Sequence, residues 1–129
     1  MEVPEEKIMR DAFDVGIRIH RELGPGLYES VYEAVFCHEM NKLGYRLERQ
    51  REVSIEWDGL KFEKAFRLDL LIDDCVIIEF KAVSEMHKLF ARQILTYLKL
   101  TQKRLGAVMN FGMELFKDGF ERVANGMPR

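Results

Sequence analysis

Cysteine is scarce in this sequence. Cys37 and Cys75 are the two cysteines among 129 residues, and neither has a partner at the spacing that metal ligands use. A disulfide framework and a zinc ribbon are therefore excluded. Cys37 adjoins His38, but adjacent positions on a helix point in different directions. We therefore expect Cys37 to be a core residue rather than one half of a Cys–His pair.

Long apolar runs are also missing. No stretch approaches the roughly 20 apolar residues that a membrane-spanning helix needs. Residues 1–6 lack the positive and apolar regions of a signal peptide, so we expect a cytoplasmic protein with no membrane partner. Hydrophobic residues make up 47% of the chain and charged residues 33%, which is typical of a folded protein and predicts one domain over residues 1–129.

The sequence also lacks a surplus of basic residues. The formal net charge is -2, whereas many nucleic-acid-binding proteins are strongly basic. A locally basic rim around an acidic site is still compatible with this total. Five bases lie on the third predicted helix and directly after it. Their side chains could contact phosphates, although we expect most of them only to be solvated surface charges. These bases are Lys88, Arg92, Lys99, Lys103 and Arg104.

Two helices are predicted in the N-terminal third of the chain. Pro4 followed by two acids is a typical helix start. Residues 24–26, Gly-Pro-Gly, end this helix. A second helix is predicted from Tyr28 to Leu43, with Gly44 as its C-terminal cap residue. Apolar residues of the first helix recur at steps of three and four and form one stripe: Ile8, Ala12, Val15, Ile19 and Leu23.

Strands are predicted after residue 45. An alternating segment that ends at Trp57 leads into residues 58–59, Asp-Gly, which are a strong hairpin-turn signal. Further strands are predicted over Phe66–Ile72, Val76–Lys81 and Leu105–Asn110.

The remaining elements complete the fold prediction. Ser84 is placed to cap a third helix that ends near Leu100, and residues 115–120 are predicted to form a terminal hairpin. The order is helix, helix, three strands, helix and strand. This order predicts an α/β or α+β fold in which a sheet is flanked by helices.

Three charged residues on neighbouring strands form a candidate site. Glu79 and Lys81 are two positions apart and therefore share one face of their strand. A three-residue loop over residues 73–75 pairs Asp69 with Glu79 across the hairpin. The same register pairs Arg67 with Lys81, so two acids and two bases gather at one end of the hairpin.

The opposite face supports this register. A three-residue loop makes that face wholly apolar, with Leu68 opposite Phe80. A two-residue loop mixes charges into both faces, and burial of an unpaired carboxylate is costly. We therefore predict the three-residue loop, although a local bulge would achieve the same alignment.

Two carboxylates side by side require a compensating cation. Hard oxygen ligands with room for water suit Mg²⁺ or Mn²⁺, and such an ion acidifies a bound water and stabilises charge on a phosphate. Lys81 would orient or deprotonate that water. The alternative is a surface ladder of salt bridges, Asp69–Lys81 and Arg67–Glu79. From these four residues alone, both interpretations stay open.

The site resembles that of the PD-(D/E)xK nuclease superfamily. Asp69 is followed after nine residues by Glu-x-Lys, on a hairpin behind a helix. More specific segments resemble the GxxExxY protein family, and the likeness covers roughly residues 8 to 123. The segment 26–32, Gly-Leu-Tyr-Glu-Ser-Val-Tyr, matches its signature, and the other similar segments are 20–26, 66–70, 78–83 and 106–112. The resemblance implies a restriction-endonuclease-like core with a mixed sheet.

The resemblance also implies roles for single residues. Asp69 and Glu79 are the implied metal ligands, Lys81 the catalytic lysine and Glu29 the helix acid that completes the site. Some RecB-like members use a histidine from the first helical region as a metal ligand, and His20 is the candidate here. Alternatively, Glu29 only stabilises the N-terminus of its helix through the helix dipole, and His20 has a structural role.

Further residues are implied to support the substrate. Gln93-x-x-x-Tyr97 resembles the helix motif with which RecB-like members hold nucleic acid and brace the site, and positions 93 and 97 share a helix face. Arg67 and Tyr32 are assigned with them as nucleic-acid or supporting residues. One departure puts activity in doubt: the family has histidine three residues before the glutamine, where this chain has Phe90, and His87 lies one helical turn earlier.

The sequence is therefore compatible with two functions. The first is a Mg²⁺- or Mn²⁺-dependent nuclease that acts on nucleic acid, with DNA as the expected substrate. The second is a non-catalytic module that keeps the fold for binding or dimerisation, with an aromatic surface that includes Tyr28, Tyr32 and Tyr45. Most of these tyrosines are expected in the core. A homodimer is a reasonable expectation for a small nuclease fold that must grip a duplex.

Overall fold

Five strands form one mixed sheet in the computed structural model, which describes residues 2–128. Their spatial order follows the sequence, and β3 and β4 are the parallel pair within it. The predicted α/β architecture, a mixed sheet flanked by helices, is confirmed. The elements are α1 (Pro4–Leu23), α2 (Glu29–Lys42), β1 (Leu47–Trp57), β2 (Leu60–Ile72), β3 (Val76–Lys81), α3 (Lys88–Thr101), β4 (Leu105–Asn110), α4 (Phe116–Gly119) and β5 (Phe120–Ala124).

The helices α1 and α2 cover one face of the sheet. The predicted apolar stripe of α1 is buried from Ile8 to Ile19, whereas Leu23 at its end is exposed. The stripe packs with α2 residues against Leu70, Ile78 and Phe80 of the sheet. Cys37 is buried in this core as predicted, and burial raises the pKa of its thiol to about 11.

The helix α3 covers the opposite face. Ile94 and Leu98 of α3 pack against Leu71, Ile77 and Val108 of the sheet. Successive residues of β3 therefore face α1 and α2 on one side and α3 on the other. Because both faces of the strand are buried, its sequence is continuously apolar. None of the helices within residues 2–128 combines the length and the apolar character needed to cross a membrane.

The start of α3 differs from the prediction. The helix begins at Lys88, and its cap is His87, whose Nδ1 accepts a hydrogen bond from the Leu89 N–H over 3.1 Å. Ser84 is not the cap, because Asn110 holds the preceding segment as a loop. The Asn110 side chain accepts from the Val83 N–H over 3.0 Å and donates to the Glu85 carbonyl over 3.4 Å.

The long hairpin β1–β2 extends beyond the rest of the sheet. Its predicted turn at residues 58–59 is confirmed, with Trp57 paired to Leu60 and positive φ angles at both turn residues. β2 pairs with β3 only over Leu70–Ile72. The preceding part of the hairpin, residues 53–66, therefore projects past the end of β3 that carries Lys81, and we call it the arm.

The C-terminal segment forms a helical turn rather than the predicted hairpin. α4 spans a single turn, and β5 then pairs antiparallel with β4. The turn inserts the Phe116 ring into the core against Gly16, where a Cβ atom would overlap the ring. Gly119 lies so close to the Asn110 carbonyl that a side chain would overlap it. Tertiary packing therefore overrides the local hairpin signal.

Candidate functional site

Asp69 and Glu79 lie where β2 and β3 separate. The predicted register is confirmed by the pairs Leu70–Ile78, Leu71–Ile77 and Ile72–Val76. Beyond Leu70 the two carboxylates replace the ladder hydrogen bonds. Asp69 Oδ2 accepts from the Phe80 N–H over 3.0 Å, and Glu79 Oε1 accepts from the Asp69 N–H over 3.1 Å. These reciprocal bonds hold the two carboxylates side by side.

The predicted pairing of Arg67 with Lys81 is wrong. Arg67 is exposed and lies opposite Glu52 of β1. Leu68 packs with the α3 cluster rather than opposite Phe80 on the α1 side. The interruption lies at Gln50, which is opposite Asp69 between two paired positions of β1 and has a φ of 54°. The pairing of β1 with β2 keeps one register on both sides of Gln50. Leu68 and Leu70 nevertheless pack on opposite faces of the sheet, so the alternation of β2 is broken at Asp69 and its pairing with β3 does not continue to Arg67.

The salt-bridge alternative is not supported by the geometry. Within residues 2–128, neither Asp69 nor Glu79 forms an ion pair with Lys81, Arg67 or any other base. The carboxylates therefore lie together without a neutralising side chain in contact.

Glu79 is the more buried of the two acids. Its relative exposure is 6%. Burial is the largest cause that raises the pKa of Glu79 well above its usual range, and the negative charge of Asp69 is the next. The hydrogen bond from the Asp69 N–H and the charge of Lys81 oppose this rise. A cation placed between the two carboxylates would offset their mutual repulsion and lower the pKa of Glu79.

Lys81 lies at the end of β3 and lines a cavity of about 480 Å³ with residues of α3. Its Nζ is 5.0 Å from the centroid of the Phe90 ring. Gln93 is exposed on α3 and lines the same cavity. Phe90 therefore occupies the position over the lysine where the resemblance implies a histidine, and it contributes a ring face instead of a ligand or proton donor.

Tyr97 lies on α3 close to the acids. Its ring stacks on Phe66 of the arm, with centroids 4.4 Å apart and planes at 6°. Burial raises the pKa of its hydroxyl, followed by the charges of Glu79 and Asp69. The structure thus brings both Gln93 and Tyr97 to the α3 side of the candidate site.

Glu29 approaches the site from α2. It is the first residue of that helix and is exposed. Loss of solvent raises the pKa of Glu29, Asp69 raises it further, and Lys81 opposes the change. Glu29 therefore shares an electrostatic environment with the central residues, whereas its assignment as a metal ligand stays a prediction.

His20 and Tyr32 are held by the protein itself. The buried His20 has its Nε2 2.8 Å from the Met113 carbonyl oxygen. The fully buried Tyr32 donates its hydroxyl hydrogen to the Gly24 carbonyl over 2.5 Å and accepts from the Leu27 N–H over 3.1 Å. Tyr32 thereby fixes the loop that leads to Glu29.

Two supporting residues, Glu33 and Asn110, were not predicted from the sequence. Glu33 of α2 is buried and accepts hydrogen bonds from Arg49 and Gln50 of β1, which stabilises the unusual backbone of Gln50 opposite Asp69. No local pattern indicates this long-range contact. Asn110 ends an otherwise apolar strand beside Lys81, and a polar residue at that position is a signal that could have identified it.

The two carboxylates fit a hard divalent cation. Among residues 2–128, no three His, Cys, Asp or Glu side chains form a group that could hold a metal ion. Mg²⁺ is commonly bound by one or two carboxylates, with water and substrate phosphates as the remaining ligands. The buried pair Asp69 and Glu79, which lacks a cation in contact, has the donor set for such a partial site.

Comparison with known proteins identifies the family. A family model described as the PD-(D/E)XK nuclease superfamily matches residues 6–123. No curated protein and no solved structure matches the chain significantly. The superfamily comprises nucleases that generally use divalent metal ions, and the five-stranded mixed sheet flanked by helices is consistent with its restriction-endonuclease-like fold. The match spans most of the sequence, and the chain therefore belongs to the PD-(D/E)XK nuclease superfamily.

Proposed function

We propose that this protein is a Mg²⁺- or Mn²⁺-dependent phosphodiesterase that hydrolyses nucleic acid, with DNA as its substrate. One observation carries the proposal. Asp69 and Glu79 bind each other's strand through reciprocal hydrogen bonds of 3.0 and 3.1 Å, and Glu79 is buried with no base in contact within residues 2–128. A structural acid pair would be expected to have an ion-pair partner.

The proposed roles follow from the positions of the side chains. Asp69 and Glu79 would hold the ion, which would supply a more acidic water and positive charge near the scissile phosphate. Lys81 faces the cavity beside α3, where its ammonium group orients the attacking water and offsets phosphate charge. Glu29 is the proposed third acid, because its pKa responds to Asp69 and Lys81.

The remaining assignments are supporting roles. Gln93 and Tyr97 hold the nucleic acid and brace the site from α3, and Arg67 supplies positive charge on the other side. Tyr32 acts through the loop before Glu29. His20 stays a candidate ligand through Nδ1 alone, because its Nε2 contacts the Met113 carbonyl oxygen.

Three broader assignments also stay proposals. The segments that resemble the GxxExxY family support membership in that subfamily. A single sheet covered on both faces supports one domain over residues 1–129. The cytoplasmic location expected from the sequence stays a prediction.

A cleavage assay tests the proposed activity. Duplex and single-stranded DNA and RNA are incubated with Mg²⁺ or Mn²⁺, and we expect DNA cleavage that EDTA abolishes. Lys81→Ala and Asp69→Asn should each lower the rate by roughly 100-fold or more, because each removes charge stabilisation in the transition state. Lys117→Ala, at an exposed position of α4, is the matched control. Metal-independent cleavage, or full activity of both site variants, would refute the assignment.

A second function, dimerisation through the arm, is favoured by a specific observation. Ile55, Trp57, Leu60 and Phe62 share one face of the arm, since Ile55 pairs with Phe62 and Trp57 with Leu60. Trp57, Leu60 and Phe62 are 73%, 60% and 49% exposed. The other face carries Glu56 opposite Lys61, a charge pair that suits solvent. One face of the arm is therefore apolar and uncovered.

We propose that a second copy of this chain covers that face. When the same apolar face of two copies packs together about a two-fold axis, each copy covers the face of the other, and the result is a closed dimer. The ionisable residues near the tip, of both signs, sum to a charge of -1, which favours a mixed-charge copy over a polyanion. These residues are Glu56, Asp58, Lys61, Glu63 and Lys64.

A further inference from the structure

The exposed side of α3 carries unusual charge. The helix contains three bases and no acid over Lys88–Thr101. Lys88, Arg92 and Lys99 are spaced by four and seven residues, so they lie on one side of the helix, and all three are exposed. We call these three residues the α3 cationic face.

The bases of the α3 cationic face have no acid as a partner in the part of the chain that the structure describes. Within residues 2–128, none of the three takes part in an ion pair, and neither does Lys81. The bases that do form ion pairs with acids are Lys7, Arg10, Arg18, Lys42, Arg49, Arg51, Lys103, Arg104 and Arg122. Other exposed bases within residues 2–128 are also absent from these ion pairs, namely Arg21, Arg46, Lys61, Lys64, Arg67 and Lys117. The α3 cationic face is distinguished because three such bases lie together on one helix that contains no acid.

The structure separates the five bases of this region into two groups. Lys103 pairs with Asp74, and Arg104 pairs with the buried Glu5. These two bases have a structural role. Lys88, Arg92 and Lys99 have no such role, and their solvent-exposed charge is available to a ligand.

The positions of the bases do not favour the helix itself. Lys88 is the first residue of α3, and the first turn contains no acid. A positive charge at this end opposes the helix dipole, whereas an anion there is favourable. The arrangement is therefore better explained by an anionic ligand than by helix stabilisation.

The α3 cationic face is continuous with the candidate site. Arg92 lines the same cavity of about 480 Å³ as Lys81 and Gln93. From Lys88 to Lys99 the helix rises about 16 Å at 1.5 Å per residue. This length corresponds to about five nucleotides of one strand at 3.4 Å per nucleotide. The three side chains of the face are all cationic, and phosphates, which every sequence presents, are the ligands that cationic side chains contact most often in nucleic acid.

We propose that the α3 cationic face binds the sugar-phosphate backbone of the strand that leads away from the cleavage site, without sequence preference. This inference rests on the proposed nuclease function. It assigns the ligand by its chemistry, a run of about five consecutive phosphates of a nucleic-acid strand.

The test is the salt dependence of binding without divalent metal. Fluorescence anisotropy of a labelled 20-nucleotide DNA, single-stranded and duplex, is measured in EDTA at several KCl concentrations. The triple variant Lys88→Gln, Arg92→Gln and Lys99→Gln should lower the slope of log affinity against log salt by about two to three, since each phosphate contact contributes about 0.7–0.9. A scrambled DNA should bind equally well.

A matched control removes the same charge elsewhere. Arg21→Gln, Arg46→Gln and Lys117→Gln change three exposed bases outside α3, and this triple variant should keep the wild-type slope. Thermal unfolding checks that both variants fold. Equal slopes for the two triple variants, or no binding of wild-type protein at low salt, would overturn the inference.

The outcomes separate this inference from the proposed activity. Binding that depends on the α3 cationic face, without any cleavage in Mg²⁺ or Mn²⁺, would support the inference and refute the nuclease proposal. Cleavage by wild-type protein with unchanged salt dependence in the α3 triple variant would support the nuclease proposal and refute the inference.

Discussion

At the residue scale, Glu79 is the least solvated acid of the candidate site. It is buried on the α3 side of β3, whereas Asp69 is partly exposed and Glu29 is exposed. Its raised pKa follows first from burial and then from the charge of Asp69. A carboxyl group whose folded-state pKa exceeds its unfolded value binds a proton more tightly in the folded protein, and this sets the sign of the pH dependence.

The sign predicts how Glu79 affects stability without metal. The favourable contribution is fully present below the unfolded pKa of 4.5, and it is lost as pH rises towards the higher folded pKa. Glu79→Gln removes this loss and keeps an oxygen for the Asp69 N–H. At pH 8 in EDTA, we expect the variant to be more stable than wild type by on the order of 2 kcal/mol.

Urea denaturation at pH 5 and pH 8 measures this effect. The exposed Glu114→Gln is the matched control and should change little. Millimolar Mg²⁺ or Mn²⁺ should raise the unfolding midpoint of wild type but not of Glu79→Gln, because ligand binding stabilises only the state that binds. A variant that is less stable than wild type at pH 8 in EDTA would contradict this account of Glu79.

At the element scale, the connection between β3 and α3 positions the two sides of the cavity. Asn110 at the end of β4 is fully buried and accepts from the Val83 and Gly112 N–H groups, each over 3.0 Å. It therefore fixes the loop between Lys81 on β3 and Arg92 on α3. A single side chain thus links three elements around the candidate site.

Removal of this amide should destabilise the protein. Asn110→Ala leaves the partly buried N–H groups of Val83 and Gly112 without their acceptor, and we expect a loss of about 1–3 kcal/mol in the free energy of unfolding. Chemical denaturation measures it, with the exposed Asn41→Ala as a control that should change stability little. A loss as small as that of the control would mean that water replaces the amide at this position.

At the scale of the whole molecule, the arm is the feature whose apolar face a single chain leaves uncovered. Most of its apolar tip is exposed, and it projects at the same end of the sheet as Lys81. Contact between two copies through the arms would place the two candidate sites in one particle. This arrangement suits a nuclease that acts on both strands of a duplex.

Oligomeric state tests the arm. We expect wild-type protein at tens of micromolar to have the mass of a dimer by light scattering after size-exclusion chromatography. Trp57→Asp with Phe62→Asp should give a folded monomer, because the two added charges on each arm oppose burial of the apolar face. The charge exchange Glu56→Lys with Lys61→Glu, on the opposite face, should remain dimeric. A monomeric wild type, or an unchanged mass for the Asp variant, would refute the proposed dimer.

Sequence patterns between residues close together in the chain were sufficient to predict several helices, strands and turns of this protein. The stripe of α1, the turn at residues 58–59 and the register at Leu70–Ile78 follow from helical or strand periodicity and from a short loop. The motif from Asp69 to Lys81 lies within one hairpin, so the meeting of the two acids could be predicted. The composition also excluded a disulfide or zinc-ribbon protein.

Only the tertiary structure decided where the predicted strand pairing ends, where α3 begins and which conformation the C-terminal segment adopts. Glu33 on α2 binds Gln50 of β1, which lies opposite Asp69, where the predicted pairing of β2 with β3 ends. Asn110, more than 20 residues away, delays α3 beyond Ser84, and the fit of Phe116 against Gly16 replaces the predicted hairpin with a helical turn. Each outcome depends on contacts between residues far apart in the chain, whose packing and hydrogen-bond energies outweigh local preference, and no local pattern encodes them.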